Sequence, residues 1–371
     1  MAQAPMRVLV VGASVAGLAA ARALRLAGLR PEVVEKLDPT VVPTAGIFLP
    51  GNAIRALRDL GLDSPLRPLG AVVRRQRFLD AAGTELCAVD LDRLWQGVGQ
   101  CRALPRADLH RVLLTGAGGA VRHRTEVREL ELGDETTKVA FGDGSFAEYD
   151  LIVGADGRRS TVRQLAELGG APHPVGQIAY RSVVTGGPEI TEWTALLGRR
   201  CGVVLTPMGY GRTYLYADER LPAGSAPPAD PLLRLRELLA DFRGPVPAVL
   251  DAVEKVQVAV TDEVELGSWS RGNVVLVGDA AHATAPTLSQ GAAMAFEDAL
   301  VLAELVRDRP TVVEALAGYE SRRRPRTRWV LERTRDRDRT RDVAPHLRDR
   351  LLRAEGGRIL ADHYRLLVDP V

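Results

Sequence analysis

The stretch Val274-Val275-Leu276-Val277-Gly278-Asp279-Ala280-Ala281-His282, with Pro286 and Gly291 beyond it, sets the frame for the chain. The apolar run, bounded by Arg271-Gly272-Asn273, predicts a buried strand. Gly291-Ala292-Ala293-Met294-Ala295-Phe296 predicts the start of a helix. A strand ending in Gly-Asp and a helix starting at glycine then face one another across a short loop. That arrangement gathers a carboxylate, a tight backbone and the amide end of a helix in one place.

The same kind of junction occurs twice upstream. Val8-Leu9-Val10-Val11 predicts a buried strand, Gly12-Ala13-Ser14-Val15-Ala16-Gly17 a turn, and Leu18 to Leu26 a helix stopped by Gly28. A second strand, Pro31 to Glu35, follows. This is a dinucleotide-binding βαβ pattern in which Ser14 stands for the middle glycine and Glu35 is the acid at the end of the second strand. Further on, Asp150-Leu151-Ile152-Val153-Gly154-Ala155-Asp156-Gly157 again ends an apolar strand in glycine, ahead of a helix near Ser160 to Arg163. In an open α/β sheet, ligands bind at the carboxyl ends of such strands. Three junctions on three buried strands therefore predict one extended site.

Between them the patterning changes. Asn52 to Leu62 predicts an amphipathic helix closed by glycine, after a loop containing Gly46 and Ile47. Residues 72–95 predict a hairpin turning at Asp80-Ala81-Ala82-Gly83. Arg102 to Leu113 returns to helix, its start near Asp108, with Arg106 just ahead. Thr125 to Leu132, Lys138 to Phe141 and Ser145 to Tyr149 predict short strands, two of them joined at Gly142-Asp143-Gly144. Residues 175–265 predict an antiparallel β-rich insert, broken by a Pro222 to Pro228 linker and a helix from about Pro231 to Phe242. The tail from Ala299 is helical and charged. Its Ser321 to Arg341 segment alternates arginine with acids and predicts a solvated, salt-bridged helix.

Composition excludes several classes. With 371 residues and 46% hydrophobic content the chain can bury a large core. A net charge of +2 implies no bulk attraction to nucleic acid or anionic membrane. Only Lys36, Lys138 and Lys255 among the 49 basic residues are lysine, which we ascribe to genome base composition. Cys87, Cys101 and Cys201 are too scattered for a disulfide framework or a zinc site, so no metal is expected and a reducing cytoplasm fits. No apolar run is long enough to span a bilayer.

The three signatures, in this order, resemble the p-hydroxybenzoate hydroxylase-like, single-component FAD-dependent monooxygenases over roughly residues 6–330. The absence of a long C-terminal extension is similar to the short branch that includes salicylate and urate hydroxylases. The resemblance implies an α/β fold: a Rossmann-like FAD-binding domain (1–71, 100–174 and 266–330), an inserted antiparallel substrate domain (72–99 and 175–265) and a helical tail (331–371). It implies that Gly12, Ser14, Gly17, Glu35 and Lys36 serve the ADP half of a tightly bound FAD, with Val127 a further cofactor contact. Gly46, Ile47 and Arg106 would lie by the flavin, Asp156 and Gly157 by the cofactors, Asp279 by the ribityl chain, and Pro286, Gly291 and Ala292 by the isoalloxazine. The family usually has Gly-Gln-Gly where this chain has Ser289-Gln290-Gly291.

The implied activity is hydroxylation of an aromatic or other electron-rich small molecule through a flavin C4a-hydroperoxide, with NADPH or NADH and O2 as co-substrates. No side chain is assigned as catalytic, and His282 is expected to be structural. Tyr180, Arg181, Arg200, Tyr214 and Tyr216 are the candidate substrate contacts. A monomer or homodimer is expected. Alternatives are an epoxidase, a double-bond reductase or a non-catalytic FAD-binding protein. A halogenase is disfavoured because Trp193 and Trp269 stand alone.

Overall fold

In the computed structural model, which describes residues 5–41, 44–222 and 225–371, the three glycine junctions end adjacent strands. The sheet runs Ser270–Arg271, Val274–Leu276, Leu151–Gly154, Val8–Val11, Glu32–Val34, Val121–Arg122. Its pairs are parallel except at the Ser270–Arg271 edge. Val11 lies opposite Gly154, and Gly154 opposite Leu276, so Gly12, Ala155 and Val277 leave the sheet side by side. The three apolar strands are buried throughout, as a parallel sheet covered on both faces requires.

Glycine permits close approach at the first junction. A Cβ on Gly12, which has φ +104°, would stand 2.6 Å from the carbonyl oxygen of Ala155. A Cβ on Gly17 would stand 1.8 Å from that of Gly12. The helix begins at Val15 rather than Leu18, one residue after the Ser14 cap, so Gly17 already lies in its first turn.

One stretch departs from expectation. Arg102–Pro105 is a strand antiparallel to Gly46–Leu49, and the helix is Arg106–Ala117. The proline explains it: the residue before proline is driven to extended backbone, so Leu104 cannot be helical. Arg106 is therefore the first residue of the helix, and its backbone N–H donates to the carbonyl of Ala45 at 2.8 Å.

The inserted sheet has seven strands, ordered Gln257–Glu263, His173–Thr185, Arg212–Arg220, Cys201–Pro207, Trp193–Leu197, Arg75–Asp80, Glu85–Asp90. It is mixed rather than purely antiparallel, because Trp193–Leu197 runs parallel to Arg75–Asp80. The sequence stretches 72–95 and 175–265 thus share one sheet. Of the linker between Pro222 and Pro228, Ala223 and Gly224 lie outside the described residues.

Register sorts the sheet into two faces. Tyr180, Ala217, Val203, Leu196 and Leu79 form one cross-strand row, buried with Leu235, Leu239 and Val249 of the two helices Pro231–Leu239 and Val246–Asp251. The neighbouring row, Arg181, Tyr216, Val204, Ala195 and Phe78, faces the other way.

The charged tail corrects the solvated-helix expectation. Val312–Arg339 is one helix, unbroken across residues 330 and 331, and it carries Arg323 at 0% and Arg326 at 7% exposure. Asp298, on the helix Gly291–Asp308, accepts from the Gly278 N–H at 2.9 Å and from Arg323 Nε at 2.7 Å, and lies 2.6 Å from His282 Nε2. Glu297 accepts from Arg323 Nη1 at 2.8 Å, Arg326 Nε at 2.9 Å and Asn52 Nδ2 at 3.2 Å. Arg326 also donates to the carbonyls of Leu366, Leu367 and Asp369, tying down the end of the chain. Charges so deep are tolerable only because each is matched and hydrogen-bonded. Among the described residues no helix is long and apolar enough to cross a membrane.

Two outcomes follow from these contacts. Burial pushes the Asp298 carboxyl up, but His282 and Arg323 overcome it and hold the group at about 2, against an ordinary 3.8. A depressed carboxylate contributes stability above its unfolded value and loses it as pH falls from about 4 toward 2. Asp298→Ala leaves Arg323 short of a partner and should cost about 3–5 kcal/mol in urea unfolding at neutral pH, with a shallower acid limb than wild type. A loss below about 1 kcal/mol would contradict this role. Ser289 occupies the left-handed region at φ +54°. Ser289→Gly should therefore raise stability by about 1 kcal/mol, read as a higher Tm. An unchanged or lower Tm would mean the left-handed backbone costs nothing there.

Candidate functional site

A single cavity of about 500 Å³ opens where the carboxyl edge of the parallel sheet meets the inserted sheet. At the sheet edge it is lined by Ser14, Gly157, Asp279, Pro286, Gly291 and Ala292. Next come Gly46, Ile47 and Arg106. On the inserted sheet the wall is Arg181, Tyr214 and Tyr216, with Arg200 at the Cys201 end. Thirteen of the residues expected from sequence thus border one space.

The rest do not border it. Gly12 and Gly17 shape the first turn from behind. Glu35 accepts from the Ala13 N–H at 2.8 Å and the Leu37 N–H at 2.9 Å, so its carboxylate holds the turn and the strand end together. Lys36 is exposed. Asp156 accepts from Ser160 Oγ at 2.5 Å and the Thr161 and Val162 N–H groups at 2.6 and 3.1 Å, bracing the helix start behind Gly157.

Two further side chains lie away from the cavity. Val127 is 2% exposed on the strand Val127–Leu132, paired with Phe141, and belongs to the core rather than the cavity. Tyr180 is 0% exposed and donates to Glu219 at 2.7 Å, which is itself held by Arg234. The cause is strand alternation: Arg181 faces the cavity, so its neighbour faces the helices.

At the Gly278 junction the polar groups are arranged to receive something. Asp279 is exposed within the cavity and its carboxylate has no hydrogen-bond partner among the described residues. The first intrahelical bond beyond it runs from the Met294 N–H to Gln290, leaving the N–H groups of Gly291, Ala292 and Ala293 free among the described residues. They sit at the positive end of an 18-residue helix. Behind them Gln290 and Asn52 hydrogen-bond each other at 2.9 Å, and Asn52 reaches Glu297, so the loop is fixed to the charged network. His282 points at Asp298 and packs on Trp269 at 5.0 Å, away from the cavity.

Across the cavity, Arg106 Nε and Arg181 Nε are buried without partners among the described residues. Gly46 brings its loop against the inserted sheet: a Cβ there would stand 2.5 Å from the Tyr214 ring. Burial raises the Tyr214 phenol, with Arg181 and Arg106 pulling the other way. Burial also raises Tyr216, whose hydroxyl donates to Asp218 at 2.9 Å. Asp218 is paired with Arg341 at 2.7 Å. Both phenols stay protonated at neutral pH and act as hydrogen-bond donors rather than bases.

The sequence did not point to the far wall. Arg337, Arg341, Leu352, Ile359, Leu360 and His363 come from the C-terminal helices and complete the cavity. Burial and the nearby Arg337 and Arg333 push His363 down to about 4, so it is neutral at pH 7. Only the spacing of Leu352, Ile359 and Leu360 on one helical face signalled this, and charged neighbours mask it.

The chain resembles proteins of one family along most of its length. Residues 5–334 match a family model described as an FAD binding domain. The chain is 32% identical over 351 residues to the FAD-dependent urate hydroxylase of Mycolicibacterium vanbaalenii, covering 90% of this chain and 88% of the relative. It is 30% identical over 326 residues to the aurachin C monooxygenase/isomerase of Stigmatella aurantiaca, covering 85% and 84%. The crystal structure of Klebsiella pneumoniae HpxO with FAD and uric acid superposes with a TM-score of 0.90 at 27% identity, over 98% of this chain and 97% of that one. With an unpartnered carboxylate and free helix amides at the sheet edge, and a cavity running from them to a second sheet, the chain belongs to the group A FAD-dependent monooxygenases, the family of the urate and aromatic hydroxylases.

Proposed function

We propose that the protein uses NADPH or NADH and O2 to hydroxylate an electron-rich ring held between the Gly291 helix and the inserted sheet. The observation that carries this is the Asp279 carboxylate, unpartnered beside the free amides of Gly291 and Ala292 at one end of a cavity whose other wall is Arg181, Tyr214 and Tyr216. The residues fit FAD. Ser14 and the helix start at Val15 would receive the pyrophosphate. Asp279 would accept from the ribityl hydroxyls. Pro286 and the Gly291 amides would border the ring system, with Gly46, Ile47 and Arg106 on the other side. When bound, FAD supplies electron transfer from the nicotinamide and the activation of oxygen.

The protein's own contribution is electrostatic and steric. Free amides at a helix N-terminus stabilise negative charge gathered beside them, without reorganising when it appears. Gly46 against Tyr214 closes the gap between the two sheets and excludes water. Tyr214 donates a hydrogen bond toward the substrate, and Arg181 with Arg106 favours a substrate carrying an acidic hydroxyl or a carboxylate. On the inserted-sheet side of the cavity, opposite Asp279, no carboxylate among the described residues is free to act as base: Asp218 is tied to Arg341, and Asp262 lies 3.3 Å from Arg158. Orientation and proton donation are thus what the substrate wall provides. The relatives named above act on urate and on aurachin C by their names. What those rings share is electron richness, which suits transfer of an electrophilic oxygen.

The purified protein should carry, or take up, FAD with its visible absorption bands, and should oxidise NADPH or NADH with oxygen uptake when a suitable ring compound is present. A colourless protein that cannot be loaded with FAD would overturn the reading. Bound FAD with no nicotinamide oxidation across a broad panel of phenols and hydroxylated heterocycles would favour a binding role instead. Asp279→Ala should weaken FAD retention on gel filtration by tenfold or more, whereas Asp143→Ala, on an exposed turn, should retain it. Equal retention in the two variants would remove Asp279 from the cofactor site.

A further inference from the structure

The cavity continues past the residues that would border the flavin and one ring, along the strand Trp193–Leu197 and the C-terminal helix. Its cavity-facing positions on the strand Trp193–Leu197 are Trp193, Ala195 and Leu197, which at about 3.3 Å per residue extend about 13 Å. Opposite them, from Leu352 to His363, the helix Pro345–Asp362 and the residue after it add about 16 Å of wall at 1.5 Å per residue. This far part is built differently from the flavin end. Its walls are mainly Ala195, Leu197, Val204 and Phe78 on the sheet, with Leu352 and Ile359 on the helix; Arg337, 5.2 Å from the Phe78 ring centre, Arg341 and the neutral His363 also border it.

Glycine fixes the helix close to the sheet. A Cβ on Gly356 would stand 2.4 Å from Cys87 Sγ, and Cys87 is the register partner of Phe78, on the cavity face. The helix therefore lies directly on the face that Arg181 and Tyr216 continue toward the flavin end. Arg348 fastens it by donating to the carbonyls of Gly198 at 2.8 Å and Leu197 at 3.0 Å. At the open end, Val343 and Leu351 line the mouth while 40% and 50% exposed, so the apolar wall continues to solvent.

We propose that this chamber receives an apolar arm of the substrate: the molecule oxidised is a two-part compound, an electron-rich ring at the flavin end bearing an alkyl or prenyl chain that lies between the inserted sheet and the Pro345–Asp362 helix. The proposal rests on the monooxygenase reading above. A compact, fully polar ring compound would leave the apolar chamber filled only with water. A chain of several carbons buries its methylenes there, each contributing roughly a fourfold gain in affinity. The exposed apolar mouth lets the end of a longer chain emerge without cost to the ring's position.

The test uses the FAD-loaded protein and 4-alkylphenols from methyl to nonyl, with binding read from the change in the flavin spectrum. Kd should fall about fourfold per added carbon over the first several members, thirtyfold or more in all, and then level off as the chain reaches the mouth. The ratio of kcat/KM for hexylphenol to that for methylphenol should rise likewise. Leu352→Trp, which fills the chamber, should flatten the dependence of Kd on chain length at least tenfold by the hexyl member, with FAD content as the check on folding. A Kd that is flat or rises with chain length, binding by methylphenol alone, or binding by none of the series to flavin-loaded protein would each overturn the chamber. Failure to load FAD would instead strike the monooxygenase reading.

Discussion

The Asp298 carboxylate is the point on which the Gly278 end of the cavity depends. It accepts the Gly278 N–H, so the strand cannot leave the sheet along another path, and it carries His282 and Arg323 at the same time. Gly278 sits at φ +59°, with room for no side chain before Ala16. A turn held by one carboxylate on the following helix is stiff in the direction that matters: Asp279, one residue on, is presented to the cavity while Asp298 stays behind it. Glu297, the next side chain along, repeats the device toward Asn52 and Gln290. Two adjacent acids on one helix thus brace both ends of the loop.

This explains why the charged Ser321 to Arg341 segment misleads when read as sequence. Its ten arginines interleave with only three acids, Glu332, Asp336 and Asp338, and a run of charge along a helix usually means a solvated face. But Arg323 and Arg326 answer acids on a different helix, and their spacing places both on the side turned to it. Nothing local distinguishes an arginine balanced by its own helix from one balanced across an interface. The glycine junctions were legible for the opposite reason. Tight turns, buried strands and helix starts are local requirements written within about ten residues, and all three fall on adjacent strands. The proline at 105 was equally legible in principle, since it dictates extended backbone before it, and it moves a helix start by several residues.

The inserted-sheet wall of the cavity shows where legibility ends. Tyr180, Tyr214 and Tyr216 are the same residue type on β-rich segments, and alternation alone puts Tyr214 and Tyr216 on one face. Which face meets the cavity depends on the register with strands far away in sequence, down to Phe78 and Cys87. It also depends on which side the helices Pro231–Leu239 and Val246–Asp251 choose to cover. The C-terminal wall lies further out of reach. Leu352 and Ile359 belong to a helix with much charge and little amphipathic character, and only Gly356, lying against Cys87, reveals how closely it packs on the sheet.

The adjacency of the three junctions also bears on how the chain folds. Arg7 and Asp150, which hydrogen-bond beside the first two strands, are 143 residues apart in sequence, and the third strand comes more than a hundred residues later still. Loop closure of that length is entropically costly before any sheet contact repays it, so the parallel sheet is a late and slow assembly. The first βαβ unit must wait with its Val8–Val11 edge unpaired on the side that Leu151–Gly154 will occupy. During synthesis that apolar edge is open to other chains until Leu151–Gly154 emerges, and the strand beyond it waits until the whole 173–263 part of the inserted sheet has been made. A chain built this way gains from slow dilution or a chaperone at the stage when its nucleotide end is half made.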